Sequence, residues 1–153
     1  MDKIAGIGDY VISNSNEDTL KTFALGSCVA VTAYCSKNKV AGLIHMALPS
    51  PLNADSNPKK GYYVVTGLPA LLQKMCTKYG CQSKDITVGI FGGASRSDND
   101  IFRIGERNIK EARDLLNKMG YAIQYSNVGG SLCRTIYIDV PTGNITLITQ
   151  PIQ

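Results

Sequence analysis

The chain of 153 residues contains no tryptophan and a single histidine, His45. Without tryptophan, and without basic residues interleaved with aromatics, it offers no stacking platform for bases, so nucleic acid is not an expected partner. The five cysteines, Cys28, Cys35, Cys76, Cys81 and Cys133, form no CxxC pair. With one histidine the usual zinc spacings are unmet, and neither a metal nor a cofactor is expected. No apolar run approaches the roughly 18 residues of a membrane span, so no membrane insertion is expected. The start, Met1-Asp2-Lys3-Ile4-Ala5-Gly6, lacks the basic opening and long apolar centre of a signal peptide. Reduced thiols in the cytoplasm are the corresponding expectation. A net charge of +4 favours acidic partners only modestly and fits an ordinary soluble surface.

What the chain does have is enough apolar material, 44% of its residues, for a real core. The length suits one domain over residues 1–153. Ile4 to Ile12 reads as an entry strand interrupted at Gly6–Gly8, and Leu20 to Ala24 as a short extended run. Leu68, Leu71, Leu72 and Met75 recur at helical spacing inside Gly61 to Tyr79. Pro69 there requires either a helix starting near Gly67 or a kink. Ile86 to Phe91 reads as a strand ending at Gly92-Gly93. Ile109, Ala112, Leu115 and Leu116 make one stripe of a second helix, Gly105 to Met119. Tyr121 to Val128, Leu132 to Val140 and Ile145 to Thr149 read as strands, and Ser50 to Lys60 and Ser95 to Asp100 as polar loops. The pattern is α/β of the α+β kind, about seven strands and two main helices in a mixed sheet system.

The most informative segment lies between Cys28 and His45. Cys28 to Tyr34 is β-branched, aromatic and free of breakers, and Val40 to Leu48 is apolar until Pro49. The polar Ser36-Lys37-Asn38-Lys39 between them reads as a hairpin turn. A four-residue turn pairs Cys35 with Val40, which sets Ala30 opposite His45 and Cys28 opposite Ala47. Cys28 and His45 are then diagonal neighbours on one face, about 7–8 Å apart by backbone position and within side-chain reach. A two-residue turn at Ser36-Lys37 sets them directly opposite, and a slip of one residue sends them to opposite faces. A thiol beside an imidazole is the minimal equipment for nucleophilic attack on an amide. Against this stands the ordinary behaviour of cysteine as a small buried hydrophobe.

The corner Thr22-Phe23-Ala24-Leu25-Gly26-Ser27-Cys28-Val29, with His45 downstream, resembles the CheD family of chemoreceptor glutamine deamidases. The resemblance continues through Phe91-Gly92-Gly93-Ala94, Ile104-Gly105-Glu106-Arg107-Asn108 and Val128-Gly129-Gly130, and so covers nearly the whole chain. It departs around the second glycine pair. The family usually has an acidic residue before that pair and Gly-Arg after it, where this chain has Asn127 and Cys133-Arg134.

The resemblance implies a three-layer α/β/β sandwich with mixed, largely antiparallel sheets. It also implies a Cys-His-Thr triad of Cys28, His45 and Thr22. Its substrates would be selected glutamines on the cytoplasmic helices of chemotaxis receptors, and a CheC-type phosphatase is an implied partner. On this reading Cys28 attacks as a thiolate paired with the imidazole, His45 moves the proton, and Thr22 orients the ring. The Cys28 backbone N–H is a candidate oxyanion donor. From the residues alone Thr22 reads as a strand surface position. Ser27 reads as a turn residue, and Arg107 and Asn108 as groups fixing a helix start to the sheet, with Arg107 also able to meet a partner's carboxylate. Two other functions remain open on the sequence: a binding module for the phosphatase, and a thiol hydrolase of another class.

Overall fold

The structure, a computed structural model, describes residues 1–51, 58–95 and 101–152. In chain order the elements are β1 (Asp2–Ile4), β2 (Tyr10–Ser13), β3 (Thr19–Leu25), β4 (Val29–Cys35), β5 (Val40–Met46), α1 (Val64–Thr77), β6 (Ile86–Gly92), α2 (Ile104–Lys118), β7 (Ile123–Val128), β8 (Leu132–Asp139) and β9 (Ile145–Pro151). Short 3-10 turns precede α1 and β6.

The strands form two sheets, ordered β1-β3-β8-β9 and β2-β5-β4-β6-β7. Only the β1–β3 and β6–β7 pairs are parallel. One face of the five-stranded sheet presents Val29, Val31, Ala33, Val40, Ile44 and Met46 to Leu68, Leu71, Leu72 and Met75 of α1 and to Ala112 and Leu116 of α2. The other face presents Ala30, Ala41, Leu43 and Phe91 to Leu20, Leu25, Ile136 and Ile138 of the four-stranded sheet. The architecture is therefore the α/β/β sandwich, with two cores separated by one sheet.

Some expectations change. Nine strands are present among the described residues where about seven were expected. Ile4 to Ile12 is not one strand: a turn closed by Asp9 N–H on the Gly6 carbonyl, at 2.9 Å, sends β1 and β2 into different sheets. Pro69 neither starts nor ends its helix but lies inside α1. The bond it forfeits is outweighed by its buried neighbours Leu68, Leu71, Leu72 and Met75. The helix begins early because the Leu48 and Pro49 carbonyls accept the amides of Val64 and Val65, at 2.9 and 3.1 Å. Backbone from the end of β5 thus caps α1 where no side chain does. The loops expected over 50–60 and 95–100 fall largely on residues 52–57 and 96–100, outside the described residues. No described helix is long and apolar enough to cross a membrane.

Candidate active site

The hairpin register is the one set by the four-residue turn. Cys35 pairs with Val40 and Ala30 with His45, and the last pair is Val29 with Met46. Strand alternation then aims His45 at the four-stranded sheet, together with Ala30, Ala41 and Leu43. Across that interface stands Thr22 of β3, fully buried. Its hydroxyl lies 2.7 Å from His45 Nδ1 and 2.7 Å from the Ala5 carbonyl oxygen. A carbonyl only accepts, so the threonine proton goes to Ala5, and Nδ1–H must donate to Thr22 Oγ1. The neutral ring therefore carries its lone pair on Nε2. That atom is buried and has no partner. An imidazole held by one nitrogen with the other left bare is arranged to receive a proton.

Cys28 lies in the corner between β3 and β4, one residue before the ladder begins, and is half-buried. It packs against the same inter-sheet cluster that His45 faces. Three contacts fix the corner. Gly93 N–H donates to the Cys28 carbonyl and Ala94 N–H to the Gly26 carbonyl, both at 2.8 Å. The Asn108 amide donates to the Ser27 carbonyl at 3.0 Å. The Gly92-Gly93 turn has φ of 103° and 70°, and a methyl group at Gly92 would strike the Cys28 carbonyl oxygen. Gly92 must be glycine for this loop to approach the Cys28 backbone so closely, and Gly93 for it to pack against Ile109 and Gly105 of α2. Before the corner a β-bulge shifts the β3–β8 register between Thr22 and Leu25. Ala24 sits there at φ 57°, its N–H on Thr135 Oγ1. The bulge lets the chain turn toward Cys28 while Thr22 stays in the sheet. An open hollow of about 640 Å³ beside the corner is lined by Ala24, Gly26, Cys133 and Gln150, among others.

Burial pushes the Cys28 thiol above its ordinary value, with its own backbone N–H opposing weakly. Burial also drives His45 down to about 4, against a smaller upward pull from Asp9. Both directions favour a neutral thiol and a neutral imidazole at pH 7.

Two buried residues, Asn108 and Arg134, support the corner. Asn108 anchors the start of α2, as expected. Arg107 does not: it is exposed and borders a surface hollow with Pro49, Lys110 and Glu111. Arg134, which stands where the family resemblance departs, is only 4% exposed. Its guanidinium donates to Asn127 Oδ1 (2.7 Å) and to the carbonyls of Gly129 (2.8 Å), Leu132 (3.1 Å) and Gly92 (3.4 Å). It thereby clamps the two glycine turns, one of which seats Cys28. The signal in the sequence was the placement of an arginine within five residues of Gly129. Among the described residues, no group of three or more His, Cys, Asp and Glu gathers as a metal site.

The family model described as "CheD chemotactic sensory transduction" matches residues 47–149. A protein of Syntrophus aciditrophicus named "Probable chemoreceptor glutamine deamidase CheD 1" is 41% identical, over 94% of this chain and 91% of its own length. Relatives named "Probable chemoreceptor glutamine deamidase CheD" from Syntrophotalea carbinolica and Pyrococcus horikoshii are 40% and 37% identical, over 95% and 93% of this chain and 93% and 88% of their own lengths. Among solved structures, the Bacillus licheniformis hypothetical protein YfiH shares the fold, with a TM-score of 0.53 and 14% identity. That match covers 77% of this chain and 49% of that one. With a model match over most of the chain and relatives aligned along nearly all of it, the chain belongs to the CheD family.

Proposed function

We propose that this protein is a protein-glutamine deamidase acting in the cytoplasm on chemotaxis receptors, with Cys28 as nucleophile, His45 as general base and acid, and Thr22 as the residue that orients the ring. The observation that carries the reading is the bare, buried Nε2 of His45, left by the Thr22 hydrogen bond on Nδ1. The names of the relatives supply the substrate class.

The chemistry follows from that arrangement. As Cys28 Sγ bonds to the side-chain carbonyl carbon of a glutamine, its proton passes to Nε2, and the carbonyl oxygen takes up negative charge near the Cys28 backbone N–H. His45 then protonates the amide nitrogen, the C–N bond breaks, and ammonia leaves a thioester. Water, losing a proton to Nε2, attacks the thioester. The carbon–sulfur bond breaks, the thiol regains its proton, and glutamate remains. The receptor backbone is untouched. Thr22 adds no charge to the site, so the ring stays neutral between steps.

The test is mass spectrometry of a receptor cytoplasmic fragment incubated with the purified protein. Gains of about 1 Da at specific glutamines, with ammonia released, are expected from wild type and not from Cys28→Ala. Full activity of that variant removes Cys28 from the role, and cut peptide bonds in place of the mass gain would indicate a protease. A second reading, a binding module for a CheC-type phosphatase, is favoured by one observation. Ile101, just before α2, is 83% exposed, a large apolar side chain at the surface. Binding of such a phosphatase with no mass gain on any receptor would favour this second reading.

A further inference from the structure

The backbone ladder between β4 and β5 stops at Val29 and Met46, one rung short of Cys28 and Ala47. A side chain occupies the missing rung. Asn108, on the second turn of α2 and fully buried, donates from one amide nitrogen to the Ser27 carbonyl and to the Ala47 carbonyl, both at 3.0 Å. Ser27 immediately precedes the nucleophile. Ala47 lies two residues beyond His45. The one NH2 group therefore ties the strand end that carries the thiol to the strand end that carries the imidazole.

The orientation of this amide is fixed, because two carbonyls can only accept. The consequence is visible on its other side: Asn108 Oδ1 is buried with no hydrogen-bond partner. An unpaired buried acceptor is unfavourable, and an apolar residue of similar size would avoid it. An asparagine placed here for packing alone would carry that penalty without return. Its two donated hydrogen bonds are what the position gains, and both end on the corner and strand that frame the site. The amide also stands between the two carbonyl oxygens, so it holds the strand ends at a set separation that direct ladder pairing would not give.

We propose that Asn108 is a positioning residue for the reaction, setting the placement of the Cys28 thiol relative to His45 Nε2. This rests on the deamidase reading above, and it deepens that reading by adding a residue that never touches substrate. A misplacement of about 1 Å at a reacting centre is enough to cost on the order of a hundredfold in rate.

Two variants test it. Asn108→Leu keeps the volume and removes both donors, and Asn108→Asp keeps the shape and turns a carboxylate toward two carbonyls. Each is assayed below its measured melting temperature, with rates expressed per folded molecule. The expected result is a fall in kcat for glutamine deamidation of about 10- to 100-fold with KM within about twofold of wild type. Alkylation of Cys28 by iodoacetamide should also show a displaced pH midpoint in both variants. A kcat per folded molecule equal to wild type, with an unchanged alkylation profile, would overturn the proposal and leave Asn108 as a packing residue. The alkylation arm needs no substrate. A wild-type protein that deamidates no glutamine would therefore count against the deamidase reading alone, and the thiol profile would still decide whether Asn108 sets the placement of Cys28.

Discussion

Replacing His45 with glutamine is expected to slow deamidation about a thousandfold or more, because the amide cannot take the thiol proton and return it to the leaving nitrogen. Binding of the receptor fragment should change little, so the loss should appear in kcat. The same variant has a second, opposite signature in stability. Burial lowers the folded ring to about 4 from its ordinary 6.5. As pH falls, the unfolded chain therefore takes up its proton first. Between pH 6.5 and 4 the unfolded state binds more protons, so the wild type is progressively destabilised across that window. The stability present above pH 6.5 drains by about 3 kcal/mol by pH 4. His45→Gln lacks this loss. Urea unfolding at pH 7 and pH 4 should show the wild type losing about 3 kcal/mol more than the variant. An equal pH dependence in both proteins would mean that the ring titrates normally in the fold.

Arg134→Met is expected to destabilise the fold measurably although it lies outside the apolar core. The substitution keeps much of the stem but removes every donor from the carbonyls of Gly92, Gly129 and Leu132 and from Asn127 Oδ1. The Gly92 carbonyl keeps the Gly129 amide at 2.9 Å, and Asn127 and Leu132 are open to water, so the loss should be about 2–3 kcal/mol, read as a fall in the urea midpoint at constant slope. Some loss of activity should accompany it, because the Gly92-Gly93 turn also holds the Cys28 carbonyl. A companion change should act in the other direction. No carboxylate lies within ion-pair distance of Arg134 among the described residues, and burial draws its charge toward release. Asn127→Asp would convert the shortest of its hydrogen bonds, 2.7 Å, into a charge-assisted one. Asn127 is itself exposed, so the new carboxylate keeps part of its water. A gain of about 1 kcal/mol or more is expected. A neutral Arg134→Met would show that the clamp is dispensable.

The hairpin and its register were legible because they are local. Four polar residues between two apolar runs set the turn length, and the turn length set which residues face each other. Which face His45 would take was not legible. Every residue of β5 is buried, and all but Tyr34 of β4. A central strand covered on both sides shows no apolar-polar alternation for a reader to follow. The Thr22 contact crosses from one sheet to the other and depends on packing between layers, for which spacing along the chain gives no rule. Residue type alone pointed there to a surface threonine. The resemblance supplied the three residues together, and the tautomer came only from the Ala5 carbonyl, a backbone atom with no signature in sequence. Of the two readings of Pro69, the start near Gly67 fails, because α1 begins at Val64. The local rule for proline is sound, but burial of the neighbouring leucines in α1 overrides it. Arg134 reads as an ordinary charged residue until the fold brings four acceptors around it.

The account rests on a neutral imidazole that offers a bare Nε2 to the thiol. His45 is the only histidine in the chain, so 15N labelling of histidine gives one pair of ring signals that need no assignment to a residue. At pH 7 the expected spectrum has Nδ1 protonated and Nε2 unprotonated, and the ring should stay neutral until the pH approaches about 4. A proton on Nε2 in the neutral ring, or a ring already charged at pH 7, would contradict the account.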